Sequence, residues 1–145
     1  MRPILGVDFG RARIGVAISD ELRLLAHPVE TIRSTKESAA LIAKLARERN
    51  VERIVVGVPR LMSGGHGSAA DEVMQFVEKL RKAVSCAVVT WDERLTTVAA
   101  HRALRDAGKK TRTTRGYVDQ VAAQMILQGY LDSLQISEQP NQLRQ

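Results

Sequence analysis

Two apolar runs separated by a short glycine turn open the chain, and they constrain its fold more than any other feature. The first run spans Pro3 to Asp8 and the second spans Arg13 to Ser19, with Phe9-Gly-Arg-Ala between them. Apolar runs of this length that flank a tight turn are typical of buried strands, and so short a connection makes the two strands antiparallel. The sequence therefore predicts a β-hairpin at the start of the chain.

The rest of the chain alternates between strand and helix patterns. Runs of β-branched residues indicate strands, and apolar residues at helical spacing indicate helices. The further predicted elements are a strand over Leu24 to Ile32, a helix from Ser38 to near Asn50, a strand over Arg53 to Val58, a helix over Asp71 to Val84, a strand over Cys86 to Thr90, a helix from Thr96 or Thr97 to Gly108 and a helix over Tyr117 to Leu131. This order predicts an α/β domain with a mixed central sheet and helices on both faces, and the opening hairpin favours a ribonuclease H-like arrangement over a purely parallel sheet.

Length and cysteine content bound the organisation of the chain. With 145 residues we expect one domain over residues 1–136, followed by a flexible polar tail over residues 137–145. The single Cys86 excludes an internal disulfide and favours a reducing, cytoplasmic setting. No apolar stretch approaches the length of a membrane span, so we expect no membrane partner.

The charge of the chain indicates a polyanionic partner. Lysine and arginine number 22 against 16 acidic residues, which gives a net charge of +6. Aromatic residues make up only 3% of the chain, which is unfavourable for binding that depends on stacked bases. Contact with a nucleic-acid backbone is therefore the expected mode of binding.

Carboxylates stand at the ends of predicted strands and in the last helix. Asp8 ends the first strand, Asp92 and Glu93 follow the last strand, and Asp119 lies in the predicted first turn of the final helix. A buried carboxylate is costly unless it is paired or bound to a metal, and ligands in α/β sheets gather at the carboxyl ends of strands. The alternative interpretations are structural: Asp8 in a turn, Glu93 paired with Arg94 in a surface loop, and Asp119 on the helix dipole.

These carboxylates, without a histidine or cysteine cluster, indicate a hard cation such as Mg²⁺ or Mn²⁺ rather than zinc. Such ions support phosphodiester hydrolysis. The basic stretch Lys109-Lys110-Thr-Arg112-Thr-Thr-Arg115, predicted as a helix-poor connector, would then hold the nucleic-acid backbone by charge.

Five sequence blocks in order resemble the YqgF (RuvX) family, whose members are described as pre-16S ribosomal RNA nucleases and as Holliday-junction-resolvase-like proteins. The blocks are Gly6-Val-Asp8-Phe-Gly10, Arg13-Ile-Gly-Val-Ala-Ile-Ser-Asp20, Val56-Gly-Val-Pro59, Asp92-Glu-Arg-Leu-Thr-Thr97 and Val118-Asp119-Gln-Val-Ala-Ala123 with Ile126-Leu-Gln128. The resemblance covers about Ile4 to Leu131. It departs from the family pattern at Ala12, where a lysine is usual, and at Ser63, where an aspartate is usual.

The resemblance implies a ribonuclease H-like nuclease of the bacterial cytoplasm that matures the 5′ end of small-subunit ribosomal RNA. It implies Asp8, Glu93 and Asp119 as catalytic metal ligands, with Asp92 as a further candidate and Glu93 preferred over Asp92. Predicted nucleic-acid contacts lie in the first turn, after the last strand and in the basic stretch: Arg11, Arg13, Arg94, Thr96, Lys109, Lys110, Arg112 and Arg115.

Three other interpretations stay open from the sequence. Asp8-Phe-Gly10 also resembles the first phosphate loop of the actin and sugar-kinase fold, although those proteins need two subdomains and a second loop. A binding module that assembles on ribosomal RNA is a second possibility. A Holliday-junction resolvase is a third, and a dimer would favour it because symmetric cuts need paired sites. The sequence leaves open whether the protein is a monomer or a homodimer.

Overall fold

The structure is a computed structural model that describes residues 1–59, 68–95 and 112–138. In these ranges five strands form one mixed sheet. The strands are β1 (Ile4–Phe9), β2 (Arg13–Ser19), β3 (Ala26–Arg33), β4 (Arg53–Val58) and β5 (Ala87–Asp92). Within these ranges the helices are α1 (Ser38–Glu48), α2 (Ser68–Ala83) and α3 (Arg112–Glu138), and a 3-10 turn spans Glu93–Leu95.

The strand order across the sheet is β3-β2-β1-β4-β5. β1 pairs with β2 and β2 with β3 in antiparallel fashion, whereas β4 runs parallel to both β1 and β5. The predicted hairpin and the predicted mixed sheet are therefore both confirmed. Because β1, β4 and β5 are parallel, their carboxyl ends meet at one edge of the sheet, and the first turn lies at the same edge.

Helices cover both faces of the sheet, as predicted. Leu5 and Val7 of β1 pack in one core with α1 and α2, and Ile4 belongs to the second core, which α3 completes. This division follows from the alternation of side chains along a strand. At Gly6 the α3 helix comes so close that a Cβ atom on the glycine would lie 2.6 Å from the Cβ atom of Leu127.

Several predicted boundaries are wrong. α3 begins at Arg112, so the end of the basic stretch is helical rather than a connector, and Asp119 lies about two turns into the helix instead of in its first turn. Arginine and threonine cost a helix only a few tenths of a kcal/mol each and Gly116 about 1 kcal/mol, which the packing of the following turns on the sheet offsets.

Smaller differences occur at β3, α2, β5 and the end of α3. β3 spans Ala26–Arg33 rather than Leu24 to Ile32. α2 begins at Ser68, three residues before the predicted start, and β5 continues through Asp92. α3 runs to Glu138, so the first two residues of the predicted tail, 137 and 138, are helical. The helix predicted from Thr96 or Thr97 to Gly108 lies outside the described residues. Among the described helices, none has the length and apolar character that a membrane crossing requires.

Candidate active site

Asp8 lies near the carboxyl end of β1 on the face that α3 covers. Only 4% of the residue is exposed, and its partner in the neighbouring strand β2 is Gly15. The parallel register of β1 and β4 pairs Val7 with Val56, so its next step brings Asp8 beside Gly57. Asp8 therefore stands between two positions that carry no side chain.

Glu93 reaches the same place from β5. It is the first residue after the strand, it is 3% exposed, and a Cβ atom on Gly57 would lie 2.7 Å from its Oε1 atom. Burial raises the pKa of Glu93 to about 7, and the neighbouring charge of Asp92 adds to this effect. A carboxyl group with this pKa is partly protonated at neutral pH, because burial disfavours its charged form.

Asp119 reaches the site from α3 on the other side of Asp8. It is 4% exposed, and a Cβ atom on Gly15 would lie only 2.0 Å from its backbone oxygen, so only glycine allows the helix to approach β2 this closely. The Nε atom of Arg13 donates a hydrogen bond of 2.8 Å to Oδ2 of Asp119. The guanidinium thus offsets the charge of this carboxylate.

The two glycine contacts bring three buried carboxylates to one small region. Asp8 is flanked by Gly15, which touches Asp119, and by Gly57, which touches Glu93. Strands of a sheet are about 4.8 Å apart, so the three residues are spread over roughly two strand spacings. Within the described residues, however, no three acidic, histidine or cysteine side chains form a group tight enough to hold a metal ion as they stand.

Asp92 takes a different position from Glu93. Alternation along β5 places Val88 in the core under α1 and α2 and Trp91 against the core under α3, so Asp92 belongs to the face opposite the three carboxylates. Its carboxylate accepts hydrogen bonds from the backbone and side chain of Arg94, with a shortest distance of 2.7 Å. Arg94 therefore pairs with Asp92.

The structure describes some of the predicted nucleic-acid-binding residues and not others. Arg11 is exposed in the first turn, where its Nε atom lies 2.8 Å from Oε2 of Glu72 on α2, and Arg13 is bonded to Asp119. Arg112 and Arg115 belong to the first turn of α3. Thr96, Lys109 and Lys110 lie outside the described residues.

Sequence reasoning missed the two glycines that allow the carboxylates to converge. Gly15 and Gly57 interrupt otherwise β-branched strands, and an isolated glycine inside a strand often marks the close approach of another part of the chain. That signal was present in the sequence, but it does not reveal which segment approaches.

The family of the chain follows from comparison with known proteins. The family model described as RuvX, Holliday junction resolvase, matches residues 2–133. The chain belongs to this family. A relative from Chloroflexus aggregans named "Putative pre-16S rRNA nuclease" is 47% identical over 132 residues, which cover 90% of this chain and 93% of the relative.

Solved structures agree with the ribonuclease H-like fold. Thermus thermophilus RuvC, in a complex with a Holliday junction substrate, matches with a TM-score of 0.59 and 12% identity over 93% of this chain and 96% of that one. The fowlpox virus Holliday junction resolvase matches with a TM-score of 0.52 and 16% identity over 90% of this chain and 99% of that one. At such identities the likeness establishes the fold, which is the predicted one.

Proposed function

We propose that the protein is a divalent-metal-dependent nuclease that cleaves phosphodiester bonds in structured nucleic acid, and that its substrate is the 5′ region of the pre-16S ribosomal RNA of the small-subunit precursor in the cytoplasm. The observation that carries the proposal is the convergence of Asp8, Glu93 and Asp119 at one edge of the sheet. The net charge of +6 is complementary to a nucleic-acid substrate. The relatives' name, which specifies pre-16S rRNA, supports the choice of substrate.

The donor set fits Mg²⁺ or Mn²⁺. Asp8, Glu93 and Asp119 would hold the ion, because all three offer carboxylate oxygens and these ions prefer oxygen ligands. The raised pKa of Glu93 means that burial disfavours its charged form, and a bound cation would favour that form. Asp92 is not part of the proposed ligand set, since it faces the other side of the sheet and bonds Arg94.

A divalent cation in this position would activate a water molecule as the nucleophile and offset the charge of the phosphate during cleavage. The protein supplies the placement. The strand pairing of β1 positions Asp8, and the contact of α3 with Gly15 positions Asp119. The close contact with Gly57 positions Glu93. Arg13, which bonds Asp119, would be available to hold a substrate phosphate if Asp119 took part in binding a cation.

Cleavage of branched DNA is the second candidate function. The description of the family as Holliday junction resolvases favours it, and the chain shares its fold with a resolvase that was solved on a junction. The two functions use the same carboxylates and differ in the nucleic acid that the basic surface accepts.

The test is a cleavage assay on a labelled pre-16S rRNA fragment and on a four-way DNA junction, each with and without Mn²⁺. Asp8→Asn and Asp119→Asn should each abolish cleavage while the proteins stay folded. Asp132→Asn is the matched control, because Asp132 is an exposed carboxylate on the same helix as Asp119. Metal-dependent cutting of the RNA supports the first function and preference for the junction supports the second, whereas cutting that survives in Asp8→Asn would refute both assignments of the site.

A further inference from the structure

A groove of about 340 Å³ lies on the other face of the sheet, between the first turn and the helices α1 and α2. We call it the α1–α2 groove. Its walls include Phe9, Arg11, Lys36, Glu72 and Lys79. Its volume is at the lower end of the range for small-ligand sites, so it has room for a single nucleotide unit rather than for a large cofactor.

The charged side chains of the α1–α2 groove favour an anion. Arg11, Lys36 and Lys79 contribute three positive charges against the single negative charge of Glu72, which leaves a local excess of two. Glu72 is bonded to Arg11, whose side chain is 74% exposed, and this pairing lowers the pKa of Glu72 and raises that of Arg11. An ion pair this exposed contributes little stability, so a phosphate can compete for Arg11 at small cost.

The floor of the α1–α2 groove is apolar. The half-buried ring of Phe9 packs on Phe76 with 4.7 Å between the ring centroids, and Ser34 and Thr35 also line the groove. A groove lined by both cations and an aromatic ring suits a nucleotide, because its phosphate is anionic while its sugar and base offer less polar surfaces. A free inorganic anion would use the cations but not the ring.

The α1–α2 groove begins where the candidate active site ends. Phe9 directly follows Asp8 in β1, and the two side chains point to opposite faces of the sheet because strand side chains alternate. Arg11 lies in the turn that follows, at the same edge. A nucleic-acid strand that crosses this edge with one phosphate near Asp8 would therefore bring a neighbouring nucleotide towards the groove.

We propose that the α1–α2 groove binds a nucleotide of the substrate strand that flanks the cleaved bond, with its phosphate held by Arg11, Lys36 and Lys79 and its sugar or base against Phe9. This proposal rests on the proposed nuclease function. Glu72 opposes binding, since it repels the phosphate and occupies Arg11. Removing the charge of Glu72 should therefore tighten nucleic-acid binding. If binding depended only on the overall positive charge of the surface, removing any other exposed carboxylate would have the same effect.

Binding is measured by fluorescence anisotropy with a labelled single-stranded RNA at several salt concentrations, in EDTA so that cleavage plays no part. Lys36→Ala/Lys79→Ala is compared with Lys44→Ala/Lys82→Ala, which removes the same charge from exposed positions of α1 and α2 outside the groove. A lost contact to a single strand lowers the salt slope by about 0.7, which is roughly a fivefold loss of affinity at 0.1 M salt. The groove pair should therefore lose roughly 25-fold, and clearly more than the control pair.

Glu72→Gln is compared with Glu78→Gln in the same assay. Glu78 is an exposed residue of the same helix and pairs with Arg81, outside the groove. Glu72→Gln should bind several times more tightly than Glu78→Gln. Equal changes in affinity and salt slope within both matched pairs would overturn the proposal.

The proposed function can fail separately. If the parent protein cleaves neither RNA nor DNA but the variants follow the expected order, the α1–α2 groove stands as a nucleic-acid site and only the nuclease assignment falls. If the parent cleaves and the groove variants match their controls, the active site stands and the groove proposal is refuted.

Discussion

Replacing Glu93 with glutamine should stabilise the metal-free protein at alkaline pH while it abolishes metal-dependent cleavage. Burial raises the pKa of this carboxyl from 4.5 to about 7, so the folded protein holds the proton more tightly than the unfolded chain does. Stability contributed by this group is therefore greatest at low pH and is lost as the pH rises from the unfolded pKa through the folded pKa. A tenfold difference in proton affinity between the folded and unfolded states corresponds to about 1.36 kcal/mol, so full ionisation costs the fold about 3 kcal/mol.

The difference between the parent protein and Glu93→Gln should accordingly depend on pH. From the two pKa values, the parent loses about 2.5 kcal/mol of unfolding free energy between pH 5 and pH 8 through this one group. Glutamine does not titrate, so this loss is missing in the variant. A buried amide that finds no partner costs about 1–3 kcal/mol, which displaces the whole curve of the variant without changing its slope.

Urea unfolding at a series of pH values in EDTA measures this difference. Glu78→Gln serves as the control, because it removes an exposed carboxylate and should keep the pH dependence of the parent. Asp92→Asn removes the second cause of the raised pKa and should reduce the dependence in part. Parallel curves for the parent and Glu93→Gln would refute the reasoning that burial strains this carboxyl group.

Three further predictions concern Arg13, Gly15 and the basic stretch. Arg13→Gln removes the guanidinium that competes with a cation for Asp119, so calorimetry should show tighter Mg²⁺ binding. At saturating Mg²⁺ the variant should bind RNA more weakly. An unchanged Mg²⁺ affinity would contradict the proposed competition. Gly15→Ala places a Cβ atom against the backbone of α3 and should lower the unfolding free energy by about 3 kcal/mol or more. The control Ala17→Gly, at a neighbouring site on the same face, should lower it less. Equal losses in urea unfolding would refute the close contact. Replacing the four basic residues of the range 109–115 with alanine should flatten the salt dependence of RNA binding, and an unchanged slope would exclude the stretch as a backbone contact.

Much of the fold could be predicted because its signals are local. The opening hairpin follows from two apolar runs and a short turn, and β4 follows from the run Arg53 to Val58, whose bounds the structure reproduces. The start of α3 was missed because a basic stretch with weak helix propensity gives no local sign of the packing that holds the turns after it. Helix propensities are small beside such tertiary contacts.

The candidate site was only partly predictable for a similar reason. The strand pattern alone places Asp8 at a sheet edge, but it leaves Asp92 and Glu93 equivalent, since the end of β5 is uncertain by one or two residues. A displacement of one residue exchanges the faces of a strand. The pairing of Arg13 with Asp119, 106 positions apart in sequence, depends on the docking of α3 and has no local signal.

Three buried carboxylates in one region would repel one another, and the metal-free protein reduces that repulsion in two ways. Arg13 supplies a positive charge to Asp119, and the raised pKa leaves Glu93 partly neutral at pH 7. The ion pair and the protonation are both reversible, because a guanidinium can leave an ion pair and a carboxyl group can lose its proton. A cation that enters between Asp8 and these residues would therefore displace a proton and an arginine rather than break a packed core. Together the ion pair and the raised pKa explain how so many buried carboxylates are compatible with a stable fold.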